Sequence, residues 1–385
     1  MMNRFWATTL IFCIMATALN NCSRHFKYSG WRGKYSSSSN KWSLPRSDMA
    51  NSGFVETGLS TPLELKWKIR TAAAVTGGLI GNEQFLVAGD LGGNLYLVNS
   101  RDGRKLSKRT FRGAFTAPLV LVDSILFFAT NINGEKFGAL NLRNGTTLWQ
   151  KPGHDIWSPF AVDDGMLFVG DGDGNVSAWR TTDGSRAWAV DMGSAISGGC
   201  VIAESLIIAA SVGGDVHALD ISTGKRIWAR NLRTAVMGQM AVKDSFLFCA
   251  GLDSMVHALD IRDGSILWEF KSGGGIRGGI SFAGDSLYFG SNDGCLYALN
   301  MKTGNLLFVF ETSYPIIGAP LITRNEIAVG SLSGYLYVLA RFTGQELFEY
   351  NAHSPIITPP ILIGNQVIFC CRNREMIALR SHNEF

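Results

Sequence analysis

The chain has 385 residues, 46% of them hydrophobic and 17% charged, so most of its length can fold around a core. Its 44 glycines against 10 prolines suit many tight turns between short strands and argue against a disordered linker. Of the formal charge of +4, the first sixty residues carry +5 and residues 61–385 sum to −1, which leaves no net positive charge for a nucleic-acid-binding face.

The first predicted element is an export signal. Arg4 precedes an apolar run from Phe5 to Leu19. That run is shorter than the ~20 residues a membrane-spanning helix needs, and it suits the core of a signal peptide. A buried helix is the alternative, but the polar residues that follow cannot cover one, so residues 1–21 are assigned to the signal. Leu19-Asn20-Asn21-Cys22 resembles a bacterial lipobox, with Cys22 as the lipidated first residue of the mature chain. Asn21 departs from the small residue usual at that position. Cleavage after Ala16-Thr17-Ala18 would instead release a soluble periplasmic protein. Ser23 after the cysteine would favour sorting to the outer membrane.

Residues 22–60 read as a tether, lipid-anchored or soluble. They carry Arg24, Lys27, Arg32, Lys34, Lys41 and Arg46 around a Ser36-Ser37-Ser38-Ser39 run, with no apolar periodicity to bury. Their charge is suited to anionic headgroups, and a plain spacer is the competing reading.

From residue 61 onward the chain repeats. Val216 to Trp228 reads VHALDISTGKRIW, and six further segments share its register. Glycine recurs at Gly103, Gly145, Gly184, Gly224, Gly264, Gly304 and Gly344, with spacings of 42, 39, 40, 40, 40 and 40. Each unit is a strand, a tight turn and a second strand, preceded by another hairpin. The glycine supplies positive φ, and small residues such as Ala178, Ala218 and Ala258 leave room for an aromatic on a neighbouring strand. About forty residues in four short strands is one propeller blade.

The aromatic position counts the blades. Trp149, Trp188, Trp228, Trp268, Phe308 and Phe348 hold it, and Ser107 is a degenerate member. One period before Ser107 lies Trp67, while one period beyond Phe348 falls past the C-terminus. The last unit therefore lacks its outer strand, and the strand around Trp67 is spare. The predicted fold is an all-β, eight-bladed propeller of four-stranded antiparallel blades over residues 61–385. The strand at Trp67 closes it beside Met376-Ile377-Ala378-Leu379, and closure removes exposed strand edges.

Ala218, Asp220, Thr223, Gly224 and Trp228 match the tryptophan-docking motif of the quinoprotein (PQQ-type) propeller repeat, and the chain resembles that family over residues 61–380. The signal, cysteine, short tether and bare propeller further resemble the lipoproteins of outer-membrane protein assembly. The resemblance implies a non-enzymatic scaffold on the periplasmic side of the envelope that binds envelope proteins, with a β-barrel assembly machine among them. The alternatives are a quinone-dependent dehydrogenase and a ligand-binding propeller. Such enzymes build their site from long insertions, and these repeats have almost no residues to spare, so no cofactor, metal or catalytic residue is assigned.

Cys370-Cys371 echoes the vicinal disulfide of quinoprotein enzymes but falls in the wrong blade, so a structural role is preferred. Asp171-Gly172-Asp173-Gly174-Asn175 begins like a calcium loop, yet Thr182 stands where a bidentate glutamate belongs, and a hairpin turn is preferred. His217 and His257 share a register with Tyr96, Tyr297 and Tyr337, which points to a repeated packing position. The resemblance implies a hydrophobic-plus-arginine partner segment. Gly275-Ile276-Arg277-Gly278 has that composition, while blade counting selects Ala195-Ile196-Ser197-Gly198, which lacks the arginine. Ile196, Ile276 and Arg277 are the partner-binding candidates, against a simple role in opening each blade.

Overall fold

The computed structural model describes residues 48, 50–132, 134–153 and 155–381. The signal, Cys22 and most of the tether lie outside these residues. The described residues form thirty-two strands in eight four-stranded antiparallel sheets. In chain order, seven sheets occupy residues 79–110, 120–152, 161–191, 200–231, 241–271, 281–311 and 321–351, here blades 1 to 7. Blade 8 takes its three inner strands from residues 361–381 and its outer strand from Leu63–Arg70. The ring predicted from the repeat register is the ring observed, with Trp67 opposite Ala378.

Blade 4 shows why the repeat folds this way. The Asp220 carboxylate accepts hydrogen bonds from the backbone N–H and hydroxyl groups of Ser222 and Thr223, which bends the chain into a side-chain-capped turn. The same bonds, from the Ser222 and Thr223 hydroxyls first, hold the carboxyl down at about 2. Gly224 then takes φ +72, a conformation costly for any residue with a Cβ. A bulge after Ala218 puts Trp228 directly opposite that alanine.

The aromatic residues join one blade to the next. The Trp228 ring covers Gly264, where a Cβ would lie 2.6 Å from a ring carbon. Its Nε1–H donates to the Ile261 carbonyl at 2.8 Å. Trp67 covers Gly103, Trp149 covers Gly184, Trp188 covers Gly224, Trp268 covers Gly304 and Phe308 covers Gly344. The tryptophans of this set each donate to a carbonyl of the covered turn.

Two members of the aromatic register behave differently. Ser107 is too small to reach Gly145, and Arg109 takes over the contact by donating to the Gly145 carbonyl and the Thr147 hydroxyl. Its guanidinium also lies 4.7 Å from the centre of the Phe111 ring. Phe348 meets no glycine turn, because the outer strand of blade 8 comes from the other end of the chain; it packs instead against the cluster around Trp67 and Phe369.

The end of the tether is part of the propeller. Ala50, Ser52 and Gly53 offer carbonyls to the N–H groups of Val242, Phe282 and Ile322, on the innermost strands of blades 5, 6 and 7. Leu59 N–H then donates to the Glu326 carboxylate, and Ser60 N–H to the Ser381 hydroxyl in blade 8. Residues 50–60 are thus hydrogen-bonded to blades 5, 6, 7 and 8. Local composition gives this stretch no means of ordering itself. The unpaired inner edges of three blades do so.

Candidate partner-binding face

The inner strands of all eight blades converge on the ring axis, and the linkers that lead into them build a shallow mouth there. In each repeat a buried apolar residue packs into its blade: Val75, Phe115, Ile156, Ile196, Val236, Ile276, Ile316 and Ile356. The residue after it lines the mouth, giving Thr76, Thr116, Trp157, Ser197, Met237, Arg277, Ile317 and Ile357 in ring order. The cavity is about 330 Å³. Below it the inner strands crowd together, and a Cβ at Gly238 would sit 2.0 Å from the Gly278 carbonyl oxygen. The Ala50–Gly53 stretch is bonded further along the same strands, toward the opposite end of the axis.

This geometry separates the three partner-binding candidates. Ile196 and Ile276 are 1% and 0% exposed, and they anchor the inner strands of their blades. Arg277 points into the mouth and is the one charged side chain among its lining residues. It shares the rim with Trp157, which is 44% exposed and which the sequence reading did not single out. The signal was present in the chain as one residue per repeat, always following the buried apolar position.

The other sequence candidates settle into their blades. Asp171 turns back on its own hairpin, accepting from Asn175 N–H at 2.8 Å. Asp90 does the same in blade 1 with Asn94. His257 Nδ1 lies 2.9 Å from the Glu269 carboxylate on the adjacent strand, and burial lowers the pKa of His217. At the same register Tyr96 and Tyr297 donate to Asp90 and Asp293 and accept from the N–H groups of Ala72 and Gly273. These two tyrosines fasten a blade to the linker entering it. Among the described residues no group of three or more His, Cys, Asp or Glu side chains could hold a metal ion.

Cys370 and Cys371 are buried and free, on a strand end of blade 8. Burial pushes the Cys371 thiol up to about 12 and the Cys370 thiol well above the usual range. Only the thiolate is reactive. Both are therefore expected to resist maleimide in the native protein and to label on unfolding without reductant, read by intact mass. Label that appears only after reduction would instead reveal a disulfide.

The family described as outer membrane protein assembly factor BamB matches three overlapping stretches, residues 64–190, 133–242 and 172–309. Together they cover well over half of the chain. The chain belongs to the BamB family.

None of the curated proteins matches this BamB-family chain in sequence. Among solved structures, BamB from Moraxella catarrhalis aligns with a TM-score of 0.71 at 18% identity, over 84% of this chain and 99% of that one. The computationally designed Ika8 protein aligns at 0.75 and 18%, over 82% and 99%. A europium-containing methanol dehydrogenase aligns at 0.78 and 13%, over 89% and 98%. At such identities the likeness is one of fold, and the blades alone do not distinguish a scaffold from a dehydrogenase.

The mouth itself bears on that distinction. A calcium ion takes six to eight oxygen ligands, carboxylates prominent among them. The lining residues of this BamB-family propeller offer hydroxyls, an amide, a guanidinium and apolar chains, and no carboxylate. The residues present do not fit a calcium-held quinone.

Proposed function

We propose that the protein is a non-enzymatic, exported scaffold that binds envelope proteins during assembly of outer-membrane β-barrels. The observation that carries this reading is the BamB-family match across residues 64–309. The N-terminal signal, the cysteine at position 22 and the tether agree with a lipoprotein on the periplasmic side of the outer membrane. The mouth face supplies the binding surface: Trp157, Met237, Ile317 and Ile357 offer apolar area and Arg277 a forked donor, on the linkers that enter the inner strands. Exposed aromatics and arginines of this kind dominate protein interfaces.

Affinity capture of the tagged full chain from detergent-solubilised envelope should enrich a subunit of the β-barrel assembly machinery. Replacing Trp157 and Arg277 together by alanine should lower that enrichment at least tenfold, about what losing 1.4 kcal/mol or more of hot-spot contacts predicts. Repeated capture without any such subunit overturns the reading. So does a bound chromophore and dye reduction after reconstitution with quinone and Ca²⁺, which would establish the dehydrogenase instead.

A further inference from the structure

The net charge of the propeller hides a strong division around the ring. Residues 61–152 and 352–381, which build the contiguous blades 8, 1 and 2, carry fifteen Lys and Arg against seven Asp and Glu. Residues 153–351, which build blades 3 to 7, carry thirteen against twenty-one. One sector is thus +8 and the remainder −8.

The positive sector is concentrated on the outer rim. The outer strand of blade 8 presents Lys66, Lys68 and Arg70, and that of blade 1, Lys105–Thr110, presents Lys105 and Lys108. Arg101 and Arg104 stand exposed on the turn that leads from Asn94–Asn99 into the outer strand of blade 1. The rims are physically continuous, because Lys105 Nζ donates to the Arg70 carbonyl at 2.6 Å and Arg109 reaches the Gly145 turn of blade 2. Glu375 faces Lys68 and Arg70 at 3.5 and 3.8 Å, leaving those side chains 44% and 60% exposed. Leu65 and Leu148 stand among the cations on the outer strands of blades 8 and 2, 50% and 45% exposed.

We infer that the outer rim of blades 8, 1 and 2 is a seat for an anionic phospholipid surface. Three features select a membrane over other polyanions. The rim spreads its cations as a band across three blades. Its exposed leucines suit the boundary between headgroups and acyl chains. The chain preceding it, residues 22–60, is itself basic and runs directly into the strand that bears Lys66, Lys68 and Arg70. The acidic remainder of the ring is repelled by the same surface, so the propeller would stand edge-on with its axial mouth facing sideways, open to a partner. The inference stands independently of the partner reading above.

The test is co-sedimentation of the full chain, carrying Cys22→Ala so that no acyl chain masks the effect, with vesicles. The vesicles are pure phosphatidylcholine or phosphatidylcholine with about one-third phosphatidylglycerol. Binding should require phosphatidylglycerol and weaken steeply as salt is raised. Lys66→Gln, Lys105→Gln and Lys108→Gln together should cost roughly a hundredfold in vesicle affinity, at about fivefold per cation. All three side chains are exposed, so far-UV circular dichroism should be unchanged, and Lys105→Gln alone, which removes the bond to the Arg70 carbonyl, reports any shift of the melting curve that comes from the blade 8–blade 1 contact. Arg180→Gln, Arg226→Gln and Lys271→Gln, the same charge change in the acidic sector, should leave binding intact. Equal losses from the two triple variants overturn the inference. So does binding that depends only on the six tether cations, binding indifferent to phosphatidylglycerol, or tighter binding to duplex DNA than to the vesicles.

Discussion

A chain beginning at Thr71 is expected to aggregate, while one beginning at Asp48 elutes as a single species in size-exclusion chromatography. The difference is the strand Leu63–Arg70, which pairs with Glu375–Ser381 from Leu63 opposite Ser381 to Arg70 opposite Glu375. Without it blade 8 keeps three strands, and the edge bearing Met376, Ile377, Ala378 and Leu379 faces solvent, although all four are 0% exposed in the closed ring. A flat apolar edge of this kind is a template for pairing with another chain. Two interfaces fail together. Trp67 donates to both Gln366 in blade 8 and the Ser100 carbonyl in blade 1, and its ring covers Gly103. Burial of Trp67 and Leu63 alone is worth about 5 kcal/mol or more, a large part of the 5–15 kcal/mol that holds a typical domain folded. A shortened chain that stays monodisperse and melts at the same temperature would show that closure is dispensable.

Trp228→Ala is expected to destabilise the protein by about 3–5 kcal/mol in chemical denaturation, the range for removing a large buried aromatic. The side chain is 9% exposed, seals a glycine turn of the next blade and satisfies the Ile261 carbonyl. Its loss leaves a cavity at a blade interface and an unpaired carbonyl. Trp228→Phe separates the two contributions. It keeps a ring over Gly264 and removes the donor, so it should cost nearer 1 kcal/mol. Blade 6 already uses phenylalanine at this position, where Phe308 covers Gly344. Equal losses for the two variants would assign the whole effect to the hydrogen bond.

Much of this architecture was legible because a propeller blade is a local object. Asp220, Thr223, Gly224 and Trp228 lie within nine residues of one another. The turn they encode forms from neighbours in the chain, and forty-residue spacing states how often it recurs. Blade number and ring closure then followed from where the aromatic register begins and ends. The candidate face was barely legible. The residues that line the mouth are about forty positions apart, polar and apolar in no order, and nothing along the chain marks them as neighbours. In the sequence Arg277 stands out only by its place beside Ile276, and nothing marks Trp157.

The amino-acid sequence by itself therefore determined the blade, its turn chemistry, the count of eight and the strand that closes the ring. These depend on spacing and on short-range hydrogen bonding and packing. Tertiary structure alone decided the rest. It brought one residue from each blade to the axis, and it ordered Ala50–Ser60 on edges that only the assembled inner strands present. It let Arg109 replace an aromatic missing at Ser107. It also placed blade 8, from the end of the chain, beside blades 1 and 2, so that cations remote in sequence share one rim. A net charge of −1 over residues 61–385 concealed that rim, because a sum along the chain carries no information about which side of a closed ring each charge occupies.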